Sequence, residues 1–137
     1  MPKLHYTRNI DAAPDRAWAV VGDLTGVDKW IPGCTTATME ENVRVCTFAN
    51  GATQREAISD YSEKQRLYRY SVTSGPLPLK SNRGTLSVEA EGNGSRIVWD
   101  AEIEVPDPAH EDEMTTMLDG AYKQVLDLLE QRIVESL

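Results

Sequence analysis

No stretch of this sequence approaches the roughly 20 consecutive apolar residues of a membrane-spanning helix. The opening Met1-Pro2-Lys3-Leu4-His5-Tyr6 lacks the apolar core of a secretory signal, so a cytoplasmic protein without membrane insertion is the expectation. Cysteine and histidine are scarce. Cys34 and Cys46 are the only cysteines, they show no CxxC spacing, and two histidines do little to complete a metal site. Both cysteines fall in strand-like sequence and are expected as buried free thiols in a reducing compartment. Basic residues are outnumbered, 14 Lys and Arg against 22 Asp and Glu, for a net charge of −8. Nucleic acid and anionic membranes reward basic patches, so neither is an expected partner. The chain has no GxSxG, no GxGxxG and no P-loop, which argues against a serine triad and against a nucleotide or flavin cofactor. No cofactor and no metal are expected.

What is present is a single domain's worth of ordinary globular sequence over 1–137, with 40% apolar and 26% charged residues. From about Pro108 to Leu137, apolar residues recur at helical spacing: Met114, Met117, Leu118, Ala121, Tyr122, Val125, Leu128, Leu129 and Ile133. Such a helix needs a large surface on which to bury its stripe, and a curved antiparallel sheet supplies one. The rest of the chain reads as strand Lys3–Asn9, a helix opening at Ala13-Pro14-Asp15 and ending near Gly22, and a second short helix from Thr25 to Trp30 stopped by Pro32. Six strands follow: Cys34–Glu40, Val43–Phe48, Thr53–Tyr61, Arg66–Thr73, Asn82–Glu91 and Arg96–Val105. Turns at Glu41-Asn42, Asn50-Gly51 and Gly92-Asn93-Gly94 join three of the pairs. Alternation assigns each strand a face. Ile97, Trp99, Ala101, Ile103 and Val105 share one, and Tyr68, Tyr70 and Val72 share another. Asn82, Gly84, Leu86, Val88 and Ala90 share a third. A packed core rarely wants an asparagine and a phenol, whereas a ligand cavity wants apolar walls with a few polar groups.

The order of elements, together with Ile10-Asp11-Ala12-Ala13-Pro14 before Trp18, Lys29-Trp30-Ile31-Pro32-Gly33, Gln54-Arg55-Glu56, Arg66-Leu67-Tyr68-Arg69-Tyr70-Ser71-Val72, Gly84-Thr85-Leu86-Ser87-Val88 and Gly94-Ser95-Arg96-Ile97-Val98-Trp99, resembles the START/Bet v 1-like superfamily (SRPBCC), in its bacterial polyketide cyclase/dehydrase and lipid-transport branch. The resemblance implies an α+β helix-grip fold: a curved seven-stranded antiparallel sheet around the C-terminal helix, with two short helices after strand 1. It also implies an internal cavity, with the loops at Phe48–Ala52 and Gly75–Leu79 in the positions of lids. The family alignment places Gln54, Tyr70, Val72, Asn82, Gly84, Trp99, Met114, Leu118 and Tyr122 on that cavity.

These residues suggest two chemistries. As a binding site, Tyr70, Val72, Asn82, Gly84, Trp99, Met114, Leu118 and Tyr122 would hold a small hydrophobic molecule such as a polyketide, lipid or sterol-like metabolite. As a cyclase or dehydratase, the cavity would fold a reactive chain, with Tyr70, Asn82 and Gln54 as polar contacts and Glu56 or Asp60 as bases. Each residue has a structural alternative: Tyr70 and Trp99 as core aromatics, Asn82 as a strand-end bond to the backbone, Glu56 and Asp60 in water. Arg55 is expected outward in an ion pair unless a bulge flips it. An outer-surface interaction module of the chaperone-regulator or ribosome-associated kind is a third reading. Monomer and dimer both remain open.

Overall fold

A computed structural model describes residues 2–137 of the domain expected over 1–137; Met1 lies outside the described residues. Seven strands form one antiparallel sheet: β1 (Lys3–Ile10), β2 (Cys34–Glu40), β3 (Val43–Phe48), β4 (Thr53–Ser62), β5 (Leu67–Ser74), β6 (Ser81–Glu91) and β7 (Gly94–Glu104). Their spatial order is β1-β7-β6-β5-β4-β3-β2, so β1 crosses over to pair with the last strand and every other neighbour is a hairpin partner. The sheet curves around the long helix α2 (Glu111–Glu135), which is preceded by a 3-10 turn at Pro108–His110. Asp107 caps that turn by accepting from the Ala109 amide at 3.0 Å. No helix among the described residues is long and apolar enough to cross a membrane.

Helix α1 (Pro14–Val21) starts with proline in its first turn, where no amide hydrogen is missed. It buries Ala17, Trp18 and Val21. It stops at Gly22, where an added Cβ would lie 2.5 Å from the Trp18 indole. The second short helix expected over Thr25–Trp30 is a single 3-10 turn, Gly26–Lys29. Helix-breaking residues close in on both sides, with Gly26 at its start and Pro32 just past its end, and leave room for one turn. That turn tucks Val27 and Trp30 into the core.

The strand faces follow the alternation. Ile97, Trp99, Ala101 and Ile103 are all buried on β7, with Val105 just past its end, as are Leu86 and Val88 on β6 and Tyr68 and Tyr70 on β5. On α2 the buried stripe is Leu118, Tyr122, Leu126, Leu129 and Ile133, spaced by three and four residues. Each such side chain contributes roughly 1.5–3 kcal/mol. Met117, expected on the stripe, stands 51% exposed. Polar ties fix the helix to the sheet edge: Arg8 on β1 meets Asp127 at 2.9 Å and Glu130 at 2.8 Å, and the Tyr6 hydroxyl donates to Asp119 at 2.6 Å. Cys34 and Cys46 are free and buried.

Candidate functional site

Between α2 and the inner face of the sheet lies a hollow of about 430 Å³. Its floor comes from β3 to β7, one wall from the 117–125 stretch of α2, and another from Trp30, Ile31 and Pro32 behind the 3-10 turn. Phe48 and the loop residues Pro76 and Leu77 also line it, and with the exposed Met117 they bring apolar side chains to the opening.

One wall is aromatic. The Trp99 and Tyr122 rings lie 4.4 Å apart at 34°, with Tyr6 edge-on to Tyr122 behind them. Trp99 donates its indole hydrogen to the Tyr70 hydroxyl at 3.0 Å. Gly84 makes that possible: a Cβ there would sit 2.5 Å from the Tyr70 oxygen and 2.7 Å from the Asp100 carbonyl oxygen. Burial holds the Tyr70 phenol well above its ordinary range and pushes Tyr122 up to about 12. At neutral pH both are uncharged hydrogen-bonding groups.

The floor carries a buried ion pair. Arg44 and Glu56 face each other across β3 and β4, 2% and 4% exposed, and meet through two hydrogen bonds of 2.9 and 3.0 Å. Arg44 also reaches the Tyr68 hydroxyl and the Leu24 carbonyl, each at 3.4 Å. The Cys46 thiol approaches Glu56 at 3.6 Å, and burial pushes that thiol up to about 12. A bidentate pair of this kind occupies both carboxylate oxygens.

Two polar atoms on the hollow's lining residues have no partner. The Trp30 Nε1 hydrogen and the Asn82 Oδ1 oxygen are shielded from solvent and have no partner among the described residues. Burying an unsatisfied polar atom costs about 1–3 kcal/mol, so each is a hydrogen-bonding group with capacity to spare.

Of the residues singled out from the sequence, Gln54, Glu56, Tyr70, Val72, Asn82, Trp99, Leu118 and Tyr122 line this hollow. Three do not. Gly84 lies beneath the Tyr70 ring and acts by its lack of a side chain. Met114 belongs to a separate depression with Pro78, Val105, Pro106 and His110. Asp60 sits on the outside, paired with Arg69 at 2.7 Å. The pairing of β4 with β5 shifts between Ser59 and Ser62, and Asp60 takes φ of 53°, so the inward parity of Gln54 and Glu56 ends before it. Glu56 is inside, with both carboxylate oxygens bonded to Arg44. Arg55 points outward to Glu40 at 2.8 Å. The sequence reading missed Arg44 and Tyr68 on the floor and Trp30 at the wall. For Arg44 a signal existed: the Asn50-Gly51 turn sets a register that places it directly opposite Glu56.

The sequence model of the family described as "Polyketide cyclase / dehydrase and lipid transport" matches residues 1–134. No curated protein matches the chain. Among solved structures, the protein XoxI from Bacillus cereus is 22% identical and superposes with a TM-score of 0.86 over 98% of this chain and 96% of its own. A START superfamily protein from Mycobacterium smegmatis is 13% identical, with a TM-score of 0.81 over 98% of this chain and 99% of its own. The di-domain ARO/CYC BexL from the BE-7585A biosynthetic pathway is 15% identical, with a TM-score of 0.83 over 96% of this chain and 46% of its own. At these identities the likeness is one of fold.

Proposed function

This chain belongs to the polyketide cyclase / dehydrase and lipid transport family, and we propose that it binds a small hydrophobic or aromatic molecule, a polyketide, lipid or sterol-like metabolite, in the hollow between the sheet and α2. The observation that carries this reading is the lining itself: aromatic and aliphatic walls around two buried polar atoms that have nothing to bond. A core packed only for stability has little reason to leave a tryptophan hydrogen and an amide oxygen unpaired on residues that border a hollow. Tyr70, Val72, Asn82, Trp99, Leu118 and Tyr122 make the contacts, and Phe48 at the end of β3 and the loop carrying Leu77 flank the way in.

Binding is favoured over catalysis by the state of the ionisable groups. Glu56 is held by Arg44, and Tyr70 and Tyr122 keep their protons, so no group lining the hollow is poised to take a proton at neutral pH. A cyclase or dehydratase role is the second reading. It draws support from Tyr70, Asn82 and Gln54, which line the same hollow and can grip the carbonyls of a flexible chain, lowering the entropic part of a ring closure without moving a proton themselves.

Native mass spectrometry of protein purified from its own host, followed by denaturation, tests the proposal. We expect a small organic molecule to be released from the folded protein, and an anilinonaphthalene dye to be displaced by it. A protein that is empty and fails to enhance the dye's fluorescence overturns both readings and directs attention to the outer surface.

A further inference from the structure

The charges and unpaired atoms of the hollow say what the ligand should look like, granted the binding reading above. Two charged side chains line it, Arg44 and Glu56, and they neutralise each other through two hydrogen bonds. The guanidinium spends its remaining reach on the Tyr68 hydroxyl and the Leu24 carbonyl. A ligand carboxylate or phosphate entering this space would find no free cation, and would have to shed its water in a protein of net charge −8. A ligand ammonium would likewise find its carboxylate taken.

The unpaired atoms are of opposite kind. The Trp30 indole can only donate, and the Asn82 oxygen can only accept. Their residues are 3% and 9% exposed, so bulk water does not satisfy them. Tyr70 has accepted its bond from Trp99 and still holds a proton to give. Ser95 and Thr115 also have unpartnered hydroxyl oxygens, but neither lines the hollow, and hydroxyls of this type rotate readily to a nearby backbone carbonyl.

We infer that the hollow selects uncharged molecules that carry both a hydrogen-bond acceptor, a carbonyl or ether oxygen, for Trp30 and a hydroxyl donor for Asn82, and that it rejects carboxylates of the same size. This narrows the class from hydrophobic molecules at large to neutral hydroxylated ketones and their like, and excludes free fatty acids and aryl carboxylates. A missing donor or acceptor on the ligand leaves a buried atom orphaned, which is a stronger penalty than losing a contact.

Four probes on one naphthalene frame test this at neutral pH by calorimetric titration of the whole protein: an acetylnaphthalene, a naphthol, a naphthoate and an ethylnaphthalene. With the unaltered protein, the naphthoate should bind at least about tenfold more weakly than the acetylnaphthalene, since its charge is buried unpaired. Asn82→Leu should weaken the naphthol by about tenfold, one hydrogen bond's worth, while ethylnaphthalene changes little. Trp30→Phe should do the same to the acetylnaphthalene alone. Naphthoate binding as tightly as acetylnaphthalene overturns the inference and needs no variant to be seen. So do variants that weaken all probes alike, which would make Trp30 and Asn82 merely structural. If none of the four binds, the binding reading itself fails.

Discussion

Glu56→Gln keeps the size and shape of a buried side chain and removes its charge. In the protein Arg44 would then remain 2% exposed with no counter-charge, keeping only a neutral amide oxygen and the two 3.4 Å contacts to Tyr68 and Leu24. Removing one partner of a buried pair costs about 3–5 kcal/mol. The retained amide oxygen puts this variant near the low end, about 3 kcal/mol, a large part of the roughly 5–15 kcal/mol that holds a domain folded. Arg44→Met should lose a similar amount by stranding the carboxylate. The double variant Arg44→Met, Glu56→Leu removes both charges and fills the volume with apolar atoms, and should fall within about 1 kcal/mol of the original protein. The single losses therefore should not add, and the cycle should show a coupling of several kcal/mol. Urea unfolding followed by circular dichroism reads this as a drop in midpoint at unchanged slope for each single variant, restored in the double. Single variants that lose less than about 1 kcal/mol, or a double variant that loses the sum, would refute a tight desolvated pair. The same double variant should still bind the naphthol and acetylnaphthalene probes, because the pair shapes the floor and offers the ligand nothing.

Gly84→Ala should destabilise by about 1–3 kcal/mol through overpacking, and Tyr70→Phe should not rescue it, since the Asp100 carbonyl oxygen at 2.7 Å is backbone and cannot turn away; full rescue in the urea midpoint would show that the phenol was the sole obstacle. Tyr70→Phe alone strands the Trp99 indole hydrogen and should lower stability by about 1–3 kcal/mol, with a shift in tryptophan fluorescence; an unchanged midpoint would show that the 3.0 Å bond contributes nothing. The buried Cys46 thiol, pushed up to about 12, should resist iodoacetamide at neutral pH until urea unfolds the chain, and rapid alkylation of the native protein would contradict its burial. Stability should also fall in alkali. Tyr122 titrates near 12 when folded against 10.0 when free, so its contribution is whole below about pH 10 and is lost as pH rises toward 12; a urea midpoint that stays flat across that window would contradict the burial of the phenol.

Much of the fold was legible because period and punctuation agreed. Pro14, Pro32, Asn50-Gly51 and the prolines at Pro106 and Pro108 cut the chain where the structure cuts it, and alternation placed every buried residue from Ile97 to Val105. Failures came where one residue breaks the period. Asp60 looks inward by counting from Gln54, but the irregular pairing between Ser59 and Ser62 turns it out, and no glycine announces the left-handed backbone there. The short helix after α1 is one turn because the five residues between Gly26 and Pro32 hold no more. Met117 satisfies the helical spacing yet stands half-exposed at the edge of the hollow, since the buried stripe of α2 runs through Leu118, Tyr122 and Leu126 instead.

Arg44 escaped for a different reason, and its case bears on function. An arginine in a strand is assigned outward by composition alone, because lone buried charges are rare. A carboxylate two residues beyond an inward Gln54 then reads as a candidate base, since nothing in one strand shows what faces it from the next. Register supplies the missing fact. With Cys46 opposite Gln54, position 44 must stand opposite position 56 on the same face, and an arginine there converts the candidate base into half of a closed pair. The consequence reaches beyond one residue. Once that pair is closed, the polar capacity left over in the hollow is the Trp30 hydrogen, the Asn82, Gln54 and Gln124 amides and protonated phenols, all neutral. Such groups can orient and discriminate but are poor at moving a proton. A reading of the strand as an isolated pattern points to acid–base chemistry, while the same residues read in pairs point to recognition.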